Sequence, residues 1–162
     1  MVACPCTVSN RFYVGSLVDM KSIDTASVVF VNQHSITEEH LDLLASLPYS
    51  KTGTRRLCFH ESNQSNFHVM LVQASPDSAF PRHCHTDSDE FTAVVRGGLE
   101  IELWPEGDQS TSSVILIGRD FSGEHAALIR KGIPHTTRAL TEQTVYLEVK
   151  LGPFNRDAFK QV

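Results

Sequence analysis

The chain predicts a mainly β fold, a sandwich or barrel of short strands with a small strand-helix unit in front. Three observations carry this. From Arg55 onward, segments rich in β-branched and aliphatic residues follow one another at short spacing. Turn-forming clusters divide them: Glu61-Ser62-Asn63, Ser75-Pro76-Asp77, Gly97-Gly98 and Pro105-Glu106-Gly107-Asp108. The one long stretch of helical spacing, residues 35–47, lies ahead of all of them.

Taken in order, residues 1–25 show no sustained periodicity and read as an extended arm, packed on the barrel or on a partner subunit. Val28-Val29-Phe30-Val31 is a short apolar run and reads as a strand. Residues 35–47 read as a helix. Ser35 and Glu38 suit a capping box, Ile36, Leu43, Leu44 and Leu47 give an apolar face, and Pro48 stops it. The strands expected next are 55–60, 67–74, 90–95, 99–104, 114–118, 126–130 and 145–151. The polar segment 106–113 reads as a surface loop, and a short helix is expected after Pro153. No Gly- or Ser-rich linker interrupts the chain. Residues 1–50 are therefore an arm, strand and helix packed on a barrel formed by residues 51–162, one globular unit in all.

At 162 residues the chain is long enough to bury a core as one domain. A net charge of −5 offers no general basic surface for nucleic acid or anionic membrane, so neither is expected as a partner. No stretch approaches the roughly 20 apolar residues of a membrane span. The start, Met1-Val2-Ala3-Cys4-Pro5-Cys6, lacks the basic and apolar regions of a signal peptide, which sets a cytoplasmic expectation. In that reducing setting Cys4, Cys6, Cys58 and Cys84 read as free thiols. Cys4 and Cys6 lack the second thiolate pair of a structural zinc site and read as tail residues.

The densest chemistry is His83-Cys84-His85-Thr86-Asp87-Ser88-Asp89-Glu90. On a strand, residues two apart point to one side, so His83 and His85 aim two imidazoles into one space. A bend through residues 86–89 returns Glu90 to it. Two nitrogens and a carboxylate suit a divalent transition metal. With eight His in the chain, a His-x-His has a chance expectation of roughly 0.4. The added Glu lowers that to about 0.02, and Gly97, with six residues between it and Glu90, to roughly 0.001. The block Gly132-Ile133-Pro134-His135 downstream adds a fourth candidate ligand.

These two blocks resemble the two sequence motifs of the cupins. The first matches His-x-His, spacer, Glu, six residues, Gly. The second matches a Gly two residues ahead of a His. Arg130 stands where the family usually has Pro, and Ala139 where it often has Asn; neither position is a ligand. The resemblance implies a jelly-roll β-barrel holding one divalent metal, Fe, Mn, Ni, Co or Zn, through His83, His85, Glu90 and His135. Over roughly residues 51–159 the chain is most similar to the WbuC-type cupins, through Arg55-Arg56-Leu57-Cys58-Phe59-His60 and Leu147-Glu148-Val149-Lys150-Leu151-Gly152-Pro153-Phe154. Those proteins are often associated with bacterial surface-polysaccharide genes. Cupin barrels commonly pair, so a homodimer is expected.

Other side chains read two ways. Arg56, Cys58 and His60 share a strand face. If it turns inward, Arg56 and His60 border the metal and hold an anionic group; otherwise they are an edge Arg and a structural His. Tyr146, Glu148 and Lys150 share a face of the last long strand, which reads as a polar outer face, with a pocket role for Glu148 as the alternative. Cys84 alternates away from its neighbours and reads as a packed thiol. His68 reads as a core or lining histidine, and His34, His40 and His125 as surface residues.

The function expected is a metal-dependent enzyme on a small oxygenated metabolite such as a sugar derivative, of isomerase or epimerase type, with His60 or Glu148 moving the proton. Two alternatives stay open: a non-haem Fe(II) dioxygenase, and a metal-dependent binding or regulatory module without turnover.

Overall fold

A computed structural model describes residues 27–31, 35–78, 80–105, 111–118 and 123–162. The expected N-terminal arm, the Cys4-Pro5-Cys6 tail and His34 lie outside the described residues. In chain order the elements are β1 (Val28–Phe30), α1 (Glu38–Ser46), β2 (Thr54–Cys58), β3 (Phe67–Ala74), β4 (His83–His85), β5 (Glu90–Arg96) and β6 (Gly98–Leu103). Then come β7 (Ser112–Ile117), β8 (Ala126–Ile129), β9 (His135–Ala139), β10 (Val145–Leu151), a 3-10 turn (Arg156–Ala158) and β11 (Phe159–Gln161).

The strands form two sheets, one ordered β1-β2-β3-β10-β5-β8 and the other β11-β4-β9-β6-β7. β1 runs parallel to β2; the other paired strands are antiparallel. Neighbours distant in sequence interleave, as in a jelly roll.

Apolar residues fill two layers. Met70, Val72, Val94 and Tyr146 from the first sheet meet Leu99, Ile101 and Leu116 from the second and close the interior. The second layer lies on the outer face of the six-stranded sheet, where Leu41 and Leu44 of α1 cover Val29, Leu57, Leu71 and Val145. Farther along that face Phe67, Phe91, Leu128 and Leu151 stay exposed.

Sequence spacing locates β3 and β10 to the residue and most other strands to within two. The helix begins later than expected. Its N-cap is Thr37, whose backbone N–H donates to His40 Nδ1 at 3.1 Å. His40 therefore takes the place expected of Glu38, and it is buried, not on the surface. Leu41 and Leu44 set this phase because they face the sheet, while Ile36 is exposed.

At the other end the expected helix is only the single 3-10 turn, where the Asn155 side chain accepts from Asp157 N–H. The chain then adds β11 beside β4.

Candidate metal centre and cavity

Register builds the site. On the inner face of the six-stranded sheet, one row of partnered residues runs His68–Lys150–Glu90. The next runs Phe30–Cys58–Met70–Glu148–Thr92, and the third Val28–Arg56–Val72–Tyr146–Val94. Opposite stand His83 and His85 on β4 and His135 on β9, with His83 paired directly to His135. Between the sheets lies a cavity of about 360 Å³, a size suited to a small molecule. His83, His85, Glu90, His135, Arg56, His60, Glu148 and Lys150 all line it.

The three histidines offer nitrogens that lie within 4.8 Å of one another. His83 and His135 are held by the same local device: Nδ1 lies 3.0 Å from the carbonyl two residues earlier, Pro81 in one case and Ile133 in the other. A Nδ1–H donated to that carbonyl leaves the Nε2 lone pair facing the cavity, the arrangement of a ligating imidazole. His85 Nε2 lies 3.0 Å from Glu90 Oε2. Nε2 of His135 is buried with no hydrogen-bond partner among the described residues, and Nε2 of His85 has the Glu90 carboxylate beside it but no aligned hydrogen bond. A buried imidazole nitrogen without a partner is destabilising alone, and one cation shared with the neighbouring imidazoles and the carboxylate satisfies it. Three imidazoles and a carboxylate thus fit a divalent transition ion.

Two glycines make the turns of the motifs, Gly132 beside this point and Gly97 at the far end of β5. Gly132 has φ +80°, and its N–H donates to His85 O at 2.7 Å, tying the turn before β9 to β4. Gly97 has φ +73°, and a Cβ there would sit 2.5 Å from Thr141 Oγ1. Arg130, in place of the usual Pro, reaches Asp89 at 2.8 Å, and Lys131 N–H donates to the same carboxylate. Asp89 thereby clips the second motif to the residue before Glu90.

Charge is concentrated at this end. Burial, with His135 nearby, pushes His83 down to about 4. Burial opposes the charge of Glu90, but His85 and Lys150 hold it down to about 2. Burial likewise opposes the Lys150 ammonium, yet Glu148 and Glu90 outweigh it and raise its pKa. Lys150 Nζ lies 2.8 Å from Glu148 and 3.7 Å from Glu90, so one cation serves two carboxylates.

Arg56 and His60 turn inward, as does His68; Cys84 is buried outside the cavity lining. Tyr146, Glu148 and Lys150 do not form an outer face. They line the cavity, because Val145 and Leu147 on the opposite face pack beneath α1. Lys150 is the residue that sequence reasoning passed over. Its signal was the Glu148-x-Lys150 spacing on one strand face.

Residues 36–116, half of the chain, match the family model described as a domain of unknown function, DUF6016. The chain belongs to the DUF6016 family. The match spans His83, His85 and Glu90 of this DUF6016 protein and ends before His135. No curated protein sequence matches it.

Solved structures do. An oxalate oxidase in complex with the substrate analogue glycolate is 15% identical with a TM-score of 0.53, covering 70% of this chain and 57% of that one. The capsular polysaccharide assembling protein CapF from Staphylococcus aureus is 17% identical with a TM-score of 0.54, covering 71% and 31%. The oxalate decarboxylase of Lactobacillus farciminis, a formate complex, is 14% identical with a TM-score of 0.53, covering 71% and 33%. The DUF6016 chain thus spans just over half of the first and about a third of the other two. At these identities the likeness shows the fold, a cupin jelly roll. No helix among the described residues is long and apolar enough to cross a membrane.

Proposed function

We propose that this DUF6016 protein is a metal-dependent enzyme acting on a small oxygenated anion, with one divalent ion held by His83, His85, Glu90 and His135. The carrying observation is the convergence of three imidazoles beside a carboxylate, with the buried Nε2 of His135 left without a partner among the described residues. A bound ion would supply Lewis-acid polarisation of a substrate oxygen.

The remaining chemistry belongs to the chain. Glu148, oriented by Lys150 at 2.8 Å, is the carboxylate placed to take or return a proton at a carbon beside the polarised oxygen. His60 suits that role less well. Its Nδ1 already accepts from Val69 N–H at 3.2 Å and its ring is stacked on His68, so the lone pair of the neutral ring is engaged. Arg56, Lys150 and Arg156 bring three cations into the cavity against Glu90 and Glu148, a balance that attracts an anion. Proton transfer next to a polarised oxygen is isomerase or epimerase chemistry.

Glycolate and formate in two fold neighbours support a small carboxylate ligand. CapF, a capsular polysaccharide assembling protein, supports the link to surface polysaccharide that the WbuC-type resemblance implies.

Elemental analysis of untagged protein, beside His83→Ala and His135→Ala, tests the site. Near one equivalent of metal is expected, lost in both variants. Full retention by both would reject these ligands. Oxygen uptake confined to the Fe(II) form would move the reaction to a dioxygenase.

A further inference from the structure

The cavity has two chemically different ends, and strand register separates them. Around the metal ligands stand Lys150 and Glu148. Toward the β1 edge the wall is Phe30, Cys58 and Met70, side by side on β1, β2 and β3, and Val28 one row away. Phe80 and Phe154 extend it from the loops. His60 adds to the same surface: its ring meets Phe30 edge-on at 5.4 Å and stacks flat on His68 at 4.1 Å. Burial pushes the Cys58 thiol up to about 12 and His60 down to about 4, so both present uncharged surface at neutral pH. Arg56 borders this wall, its guanidinium donating to Thr54 Oγ1 at 2.9 Å and lying 5.8 Å from the Phe80 ring.

We infer that the ligand is an acid with an oxygen-bearing head and a planar or branched apolar body, and not a bare polyhydroxylated sugar. This deepens the metal-site reading above and rests on it. The head belongs with the imidazoles and Lys150. The body belongs against Phe30, Met70 and Phe80. Sugar hydroxyls laid against Phe30, Met70 and Phe80 would lose their water and find no partner on those side chains, with polar atoms only at the margins, on Arg56, His60 and His68, which costs binding. An apolar ring placed there gains by leaving water, and flat contact with His60 and the phenylalanines favours a planar one.

Three 2-hydroxy acids with the same head and different bodies test this: glycolate, 3-phenyllactate and gluconate. Each is titrated by calorimetry into the full chain loaded with Co(II). We expect 3-phenyllactate to bind about tenfold tighter than glycolate or better, since burying part of a ring is worth at least that. Gluconate is expected to bind no tighter than glycolate. Phe80→Ser, at a half-buried position, and Phe154→Ser, at an exposed one, should each weaken 3-phenyllactate several-fold and leave glycolate unchanged, with the thermal unfolding of each variant as the check on folding.

Gluconate as tight as 3-phenyllactate, 3-phenyllactate within about twofold of glycolate, or no binding of 3-phenyllactate at all would each overturn the inference. The visible spectrum of Co(II) keeps the two readings apart. Failure to take up Co(II) refutes the metal site, and the same titrations on metal-free protein still rank the three bodies against the wall.

Discussion

Lys150 decides how two buried acids coexist. Glu90 and Glu148 expose 7% and 10% of their side chains, and both carboxylates lie within 3.7 Å of the Lys150 ammonium. Removing one partner of a buried ionic group leaves the others uncompensated, at about 3–5 kcal/mol. Lys150→Met should therefore lower the unfolding free energy of metal-free protein by about that much, read from urea denaturation midpoints at constant slope. Lys150→Met combined with Glu148→Gln should recover much of the loss, because one of the two stranded charges is gone. A Lys150→Met protein within about 1 kcal/mol of the parent would show that solvent, not Lys150, compensates these acids.

At the scale of one element, β11 is the unexpected support of the site. Phe159 pairs with His85, Gln161 with His83, and the Phe159 ring stacks on His83 at 4.6 Å. Val162 N–H donates to Arg82 O at 3.1 Å. Truncation after Ala158 removes this edge and the stack while keeping the bonds of Thr86 to Ala158 O. Metal affinity should fall by roughly tenfold or more, as it does when groups orienting ligands are lost. Chelator competition measures this, with Lys160→Ala as the exposed control expected to match the parent. Unchanged affinity in the truncated chain would mean that β4 holds its geometry alone.

The sequence carried no sign of this strand. Its three residues are all exposed, so no alternation of polarity marks it. The candidate ligands are legible as a cluster for the opposite reason: spacing of two on a strand is a geometric statement, and Gly97 and Gly132 mark turns that need positive φ. β10 shows where polarity misleads. Its apolar face was assigned to the interior, but α1 covers the outer face of the sheet with Leu41 and Leu44. Where a helix covers the outer face, apolar residues no longer mark the interior, so the charged row of β10 reads as exposed and is in fact the cavity wall. Which side a helix covers depends on a packing partner more than 100 residues away, information that a strand's own sequence does not hold.

Across the whole molecule, the candidate ligands come from both sheets. His83, His85 and His135 belong to the five-stranded sheet, and Glu90 to the six-stranded one. An ion held by all four would cross-link the two layers of the jelly roll, and only the folded chain brings them together. Binding to the folded state alone stabilises by mass action, about 4 kcal/mol at a thousandfold excess over the dissociation constant. For a chain of this size that is a rise in Tm of about 10 °C. Saturating metal should produce such a rise and slow amide exchange in both sheets. Glu90→Gln keeps the three imidazoles and removes the cross-link. It should retain weaker binding, forfeit most of the rise in Tm, and confine slowed exchange to the sheet of β4 and β9. If metal already slows exchange in that sheet alone in the unaltered protein, Glu90 is not a ligand. The centre would then be a three-histidine site, with the Glu90 carboxylate left to Lys150.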